Sequence, residues 1–253
     1  MNVDKKKKTS FGYAYVDEDQ KQKLVGEVFS NVAENYDLMN DLMSFGLHRL
    51  WKRIAVETSS VRENYTVLDL AGGTGDITKL LRHKVSDKGH LILSDINWSM
   101  LIAGRDKLID EGVFDIDLAQ INAESLPFAD NTFDLITIAF GLRNVTDKQK
   151  VLDSALKALK QRGKLVILEF SRPQNDSFRE IYDLFSFEII PQIGKIVAED
   201  ENSYRYLAES IRMHPTQEEL KEMLENTGFE ECNYENITNG IVAIHKGVKP
   251  DDK

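Results

Sequence analysis

Cysteine is nearly absent from this 253-residue sequence, with Cys232 standing alone. A lone thiol excludes an intrachain disulfide, fits a reducing compartment and leaves no cysteine pair for a zinc site. The histidines at 48, 83, 90, 214 and 245 are too scattered to suggest a metal cluster. No stretch approaches the roughly 18 apolar residues of a membrane-spanning helix. The start, Met1-Asn2-Val3-Asp4 and then four lysines, has charge but no apolar segment behind it, so it does not read as a secretory signal. Residues 1 to 17 read as a flexible tail. Positive charge is in deficit: 32 Lys and Arg against 42 Asp and Glu give a formal net charge of -10. That argues against a binder of nucleic-acid backbones, which relies on cations to neutralise phosphates. What is present, 42% hydrophobic and 29% charged residues, is ordinary for a globular chain. The length suits one α/β domain over residues 18 to 253.

The chain is organised around Tyr65 to Asp76, Y-T-V-L-D-L-A-G-G-T-G-D. Val67, Leu68 and Leu70 suit a strand buried on both faces of a parallel sheet, and a helical pattern starts at Ile77. Gly72, Gly73 and Gly75, with Thr74 among them, let the backbone turn sharply and approach a ligand across the strand's carboxyl end. The register is wrong for a dinucleotide fingerprint, because Thr78 stands three residues past Gly75. Asp69 and Asp76 bracket the turn and would repel a diphosphate while suiting a cationic ligand. A nucleoside carrying an amino-acid tail and a sulfonium charge fits better.

Later elements agree. The segment from His90 to Ser94 ends in Asp95, about 20 residues beyond the glycines, where a carboxylate can hold ribose hydroxyls. A third strand, Ile116 to Ile121, ends in Asn122-Ala123-Glu124, and a fourth, Phe133 to Ala139, carries Asp134. Strands are expected at 65–70, 90–95, 116–121, 133–139 and 164–170, with helices at 76–85, 98–111 and 147–160. This alternation implies a parallel sheet with helices on both faces. Apolar segments near 229–234 and 240–245 would add an antiparallel edge hairpin as sixth and seventh strands. Helices over 18–62 precede the first strand and would cover its carboxyl end. After the fifth strand, residues 172–213 form a helical insertion over the substrate site, with an unusually apolar stretch from Asp176 to Val197. Thr216, with Glu219 three residues on, reads as the N-cap of a further helix.

Glycine turn, ribose acid, polar third-strand end and acidic fourth strand, in that order, resemble the class I S-adenosylmethionine (AdoMet) methyltransferases, implying a Rossmann-like fold with a seven-stranded, mostly parallel sheet. Beyond the cofactor motif, the chain resembles the bacterial ubiquinone/menaquinone biosynthesis C-methyltransferases from about Phe11 to Gly247. The matching residues are Tyr36-Asp37-x-Met39-Asn40-x-x-x-Ser44-x-x-x-His48-x-x-Trp51, Phe140-Gly141-Leu142-Arg143-Asn144-Val145-Thr146-Asp147, Leu168-Glu169-Phe170-Ser171 and Ser203 to Ile211. Gln161-Arg162-Gly163 departs from the family's Pro-Gly-Gly turn. Ala139 stands where serine is frequent in the cofactor pocket.

The resemblance implies AdoMet as methyl donor, held by Thr74, Asp95, Asn122 and Ala123, with Asp69, Gly72, Gly73, Gly75 and Ala139 around them. It implies methylation of a ring carbon in prenylated hydroquinones, demethylmenaquinol and a 2-polyprenyl-6-methoxy-1,4-benzoquinol, and calls for no metal. Phenols titrate near 10, so the site should stabilise a phenolate or supply a base. Arg143, permanently charged, is assigned to phenolate stabilisation, with Asn144 beside it. Tyr36 and Asp37 would orient or deprotonate the quinol hydroxyl. His48 and His214 are alternative proton carriers, and Arg205 and Tyr206 either line the pocket or pair within helices. A cytoplasmic location with peripheral contact at the inner membrane is expected. Partners in a quinone-biosynthesis complex and a homodimer stay open. The competing readings are an O- or N-methyltransferase of small molecules and a non-catalytic subunit of a quinone-biosynthesis assembly.

Overall fold

Short apolar, β-branched runs set against amphipathic helices build the chain in the computed structural model, which describes residues 7–32, 36–175, 180, 182, 184–189, 191–192, 195 and 201–251. The elements in order begin with β1 (Lys8–Phe11), β2 (Ala14–Asp17), α1 (Glu18–Val32), α2 (Tyr36–Ser44) and α3 (His48–Ser59). The alternating region is β3 (Thr66–Leu70), α4 (Asp76–Arg82), β4 (His90–Asp95), α5 (Trp98–Asp110), β5 (Asp117–Gln120), β6 (Phe133–Ala139), α6 (Lys148–Ala158) and β7 (Leu159–Phe170). The chain then gives α7 (Glu201–Arg212), α8 (Gln217–Thr227), β8 (Glu230–Ile237) and β9 (Val242–Val248).

Seven strands form one sheet in the order β5-β4-β3-β6-β7-β9-β8. The five strands from β3 to β7 run parallel, and β9 pairs antiparallel with both β7 and β8. From β3 the chain moves outward through β4 to β5, then returns to lay β6 and β7 on the other side. Strand direction of travel therefore reverses at β3, and the crevice outside the carboxyl ends there is where such sheets bind ligands. Alternate strand residues feed two cores. Val67, Leu135 and Val166 meet α3 and α4 on one face, while Leu68, Ile136 and Ile167 meet α6 and α8 on the other. The N-cap of α8 is the capping box that Thr216 and Glu219 predict.

Two sequence expectations change. Residues 8–17, expected to be a flexible tail, form an antiparallel hairpin instead, with Lys8 opposite Asp17 and Phe11 opposite Ala14. Two four-residue strands carry little periodic signal, and tertiary anchors hold them: Phe11 stacks on Tyr206 at 4.4 Å, and the Tyr13 N–H donates to Glu209. Strand β7 starts at Leu159 rather than 164, because the Gln161-Arg162-Gly163 segment continues the strand through an irregular register and pairs with Lys249. Of the apolar insertion, Phe178, Ile181, Ile190, Ile193, Ile196 and Val197 lie outside the described residues. Among the described residues no helix is long and apolar enough to cross a membrane.

Candidate active site

Two non-glycine residues adopt left-handed backbone at the carboxyl edge of the sheet, Ala71 after β3 (φ +55) and Phe140 after β6 (φ +57). Such conformations cost of order 1 kcal/mol or more and persist only where the surroundings enforce them, which is commonest at functional sites. The two turns touch. A Cβ on Gly141 would lie 2.7 Å from the Ala71 Cβ, so only glycine fits there. Both turns face the same cleft.

Each glycine of the motif does something different. The Gly72 N–H donates to the Ser94 carbonyl at 2.8 Å, and a Cβ there would strike Leu93 and Asp69. Gly72 is therefore required by packing beneath the turn. Gly73 (φ +55) lines the cleft, and its N–H donates to Asp95 Oδ2 at 3.0 Å. Gly75 (φ +80) precedes the first turn of α4. Gly104, which the motif does not announce, lets α5 lie against the turn: a Cβ on it would come within 2.8 Å of the Gly73 carbonyl oxygen.

The three acids have separate fates. Asp69 is fully buried, and its carboxylate accepts from Thr78 Oγ1 at 2.6 Å and Thr137 Oγ1 at 2.9 Å. Burial pushes its pKa up to about 6, against those hydrogen bonds. Asp76 is also desolvated, but Lys52 and Lys107 hold it well below the usual carboxylate range, both paired with it directly. Asp76 is thus neutralised by two lysines, whereas Asp69 keeps its carboxylate beneath the turn, enclosed by hydroxyl donors. Asp95 does face the cleft. Burial raises it to about 6, while the amides of Gly73 and Asn97 favour its charged form.

The cleft holds about 800 Å³ of empty space, its open mouth included. Val25, Phe29, Ile96, Met100 and Ile121 give it apolar walls suited to a flat ring, and Asp95, Asn122 and Ala123 give it polar edges. Asp95 and Glu124 line it, and among the described residues no lysine, arginine or histidine does. That donor set fits a nucleoside with a sulfonium and an ammonium, and it opposes a diphosphate. Helix α1 forms the outer wall through Gln22, Val25, Gly26 and Phe29. Two clasps hold it. Lys21, only 1% exposed, donates to the Val145 carbonyl at 2.8 Å, and burial lowers its pKa to about 8. Asn97 Nδ2 donates to the Gly26 carbonyl at 3.1 Å and to Ser30 Oγ at 3.0 Å.

Beyond Phe140 the chain makes a short 3-10 turn, Leu142–Asn144. Arg143 turns inward, its side chain 2% exposed, and its guanidinium bonds Glu169 and the Phe140 carbonyl, each at 2.6 Å. It lies behind the cleft wall, whereas Asn144 is in the wall, its Nδ2 3.3 Å from the same Phe140 carbonyl. The Tyr206 hydroxyl donates to Asn144 Oδ1 at 3.2 Å. Burial raises the Tyr206 pKa, so this phenol stays protonated and orients the amide.

Of the expected cofactor residues, Gly73, Asp95, Asn122 and Ala123 line the cleft. Asp69 and Gly72 lie beneath it, Thr74 is buried in the turn, and Gly75 begins α4. Ala139 lines a separate small apolar cavity with Ala55, Val56 and Ile77. Among the expected catalytic residues, Asn144 is at the cleft and Arg143 supports it from behind. Tyr36 and Asp37 belong to α2, with side chains outside the described residues. His48 is 1% exposed and bound to Asp41 at 2.9 Å, and burial lowers its pKa. His214 is buried beside Lys148 and Arg143, and burial holds it well below its ordinary value. Both histidines are thus neutral packing residues away from the cleft wall. Arg205 pairs with Glu201 at the surface. Reading the sequence missed Lys21, Asn97 and Gly104. An Asn-x-x-Met at a helix start signals the N-cap of α5, but nothing local signals its second hand on α1.

The sequence profile of the ubiE/COQ5 methyltransferase family matches residues 16–249. A ubiquinone/menaquinone biosynthesis C-methyltransferase UbiE from Shewanella piezotolerans is 55% identical over 250 residues, 98% of this chain and 100% of that protein. Its counterpart from Shewanella sediminis is 57% identical over 242 residues, covering 95% and 96%. Among solved structures, a SAM-dependent methyltransferase, possible histamine N-methyltransferase, from Thermotoga maritima superposes with TM-score 0.64 at 18% identity, covering 89% of this chain and 99% of that one. That likeness speaks for the fold.

Proposed function

Because the chain belongs to the ubiE/COQ5 methyltransferase family, we propose that it methylates a ring carbon of a prenylated hydroquinone, with demethylmenaquinol and a 2-polyprenyl-6-methoxy-1,4-benzoquinol as acceptors. It is an AdoMet-dependent methyltransferase. Among its features, the one that carries the reading is the cleft, lined among the described residues by Asp95 and Glu124 and by no basic side chain, and ending at Phe140 and Asn144.

When bound, AdoMet supplies a methyl electrophile on a positively charged sulfur. Asp95 holds the ribose hydroxyls, and Asn122 with the backbone at Ala123 addresses the adenine edge. The Gly73 turn allows close approach of the backbone. A ring carbon next to a hydroxyl becomes strongly nucleophilic once that hydroxyl loses its proton, so the acceptor has to be reduced. Asn144, held by Tyr206 and the Phe140 carbonyl, is the amide at the cleft wall that meets the acceptor hydroxyl. Arg143 fixes the strained Phe140 turn and places its charge behind that wall, where it favours the phenolate. Tyr36 and Asp37 on α2 are the acid–base candidates.

The prenyl tail of such an acceptor resides in a bilayer, and the α2–α3 turn suits contact with one. The Ser44 hydroxyl, Asn40 and Asp41 close the turn, and the turn presents Phe45 at 77% exposure with Leu47 and Leu50 beside it. Exposed Arg49 and Arg53 flank these side chains on an otherwise acidic protein. We read this as a cytoplasmic protein touching an anionic membrane face peripherally.

Product analysis tests the acceptor class. With AdoMet and the two short-tailed, chemically reduced acceptors, mass spectrometry should find the new methyl on ring carbon. A methyl on oxygen would overturn the reading in favour of an O-methyltransferase.

A further inference from the structure

Gly26 occupies the interior of α1, where glycine is the poorest choice after proline for a helix. Its backbone is helical, so no positive φ demands it. Packing does not demand it either, since among the described residues a Cβ built there would meet no atom within 4 Å beyond its chain neighbours and the helix's own backbone. Gln22, Val25, Gly26 and Phe29 fall at i, i+3, i+4 and i+7, one stripe of the helix, and all four line the cleft. The missing side chain leaves a bare patch of backbone in the wall of that cleft.

The patch is also held in register. The Gly26 carbonyl accepts from Asn97 Nδ2 at 3.1 Å, and the Asn97 backbone N–H donates to Asp95 Oδ1 at 2.8 Å. Asp95 Oδ2 in turn accepts from Gly73 N. One hydrogen-bonded arc thus joins the glycine turn, the ribose acid and the bare patch. Asn97 Oδ1 meanwhile accepts from Met100 N as the cap of α5, so a single side chain serves two helices.

We infer that Gly26 is a binding-site residue: its bare backbone is the surface against which the nucleoside half of AdoMet packs, and Asn97 is the positioning residue that sets its distance from Asp95. This rests on the AdoMet reading above and assigns α1 a part in it. Ordinary helix chemistry would favour alanine at this position, so the ligand is what keeps glycine there.

The test separates stability from binding. Gly26→Ala should raise Tm by about 2–4 °C, because alanine is the better helix former, while calorimetric titration shows AdoMet binding at least about fivefold weaker. Gly26→Leu should bind more weakly still. Lys23→Ala, on the exposed side of α1, should leave affinity unchanged. Asn97→Asp keeps the oxygen that caps α5 and loses the donor to Gly26 and Ser30, so Tm should fall by a few degrees at most while AdoMet dissociates several-fold faster. Unchanged affinity in Gly26→Ala and Gly26→Leu, with wild type binding AdoMet, would overturn the inference and leave the methyltransferase reading standing. Failure of wild type itself to bind AdoMet would overturn both.

Discussion

Asp95 carries the sharpest pH signature at the cleft. Its folded pKa, raised to about 6 by burial, lies above the ordinary 3.8. The sign follows from linkage. A carboxyl with a raised folded pKa favours the folded state most below about pH 4, and that contribution is lost as pH rises through 6. Ligand binding runs the other way, because the ionised carboxylate is the better acceptor for ribose hydroxyls. AdoMet affinity should therefore fall as pH is lowered through 6. Asp95→Asn should weaken binding about 10-fold or more at pH 7.5, in line with a hydrogen bond to a charged group, and abolish the inflection. Titrations at several pH values check this, and an inflection persisting in the variant would mean another group is responsible. At this scale the sequence was legible where function is local. Asp95 and Asn122 close strands after a glycine turn, and both line the cleft. The surroundings of Asp69 and Asp76 were not legible, because they depend on distant partners: Thr137 lies 68 residues from Asp69, and Lys52 lies 24 residues from Asp76.

Helices and strands with a clear period were readable within a residue or two, as β4, β6 and the Thr216 cap illustrate. The β1–β2 hairpin was not, since its order comes from contacts far along the chain. Those contacts give it a place at the site. Phe11 stacks on Tyr206, Tyr206 holds Asn144, and Thr9 Oγ1 donates to the Thr146 carbonyl at 3.3 Å. Removing the Tyr206 hydroxyl in Tyr206→Phe deletes one neutral hydrogen bond, about 0.5–1.5 kcal/mol, so kcat should fall about 2- to 10-fold. Phe11→Ala should raise the KM for the quinol, because it loosens the ring that carries that hydroxyl. Steady-state kinetics with a reduced acceptor, alongside AdoMet titration, checks both. Equal loss of AdoMet affinity would show that the hairpin merely supports the fold.

For the whole molecule, topology was the most legible feature, because strand–helix alternation with short turns admits few arrangements and the right-handed crossover rule removes most of the rest. Which surface faces the acceptor was less so: Phe45 is conspicuous only once Ser44, Asp41 and His48 are seen to build the turn beneath it. If that turn meets the membrane, the protein should sediment with vesicles containing anionic phosphatidylglycerol more than with zwitterionic ones. Phe45→Glu should reduce this several-fold without changing AdoMet affinity. Equal sedimentation of variant and wild type would remove the turn from the contact.

The central claim is that a ring carbon of a reduced quinol receives the methyl group. It is tested most directly by S-adenosylhomocysteine formation with one short-tailed acceptor supplied either fully reduced or fully oxidised, under anaerobic conditions. Product should form with the quinol alone, at least about 100-fold faster than with the quinone, because only the quinol can become a phenolate with a nucleophilic ortho carbon. Comparable turnover of the quinone, or none with either form while AdoMet still binds, would contradict the account.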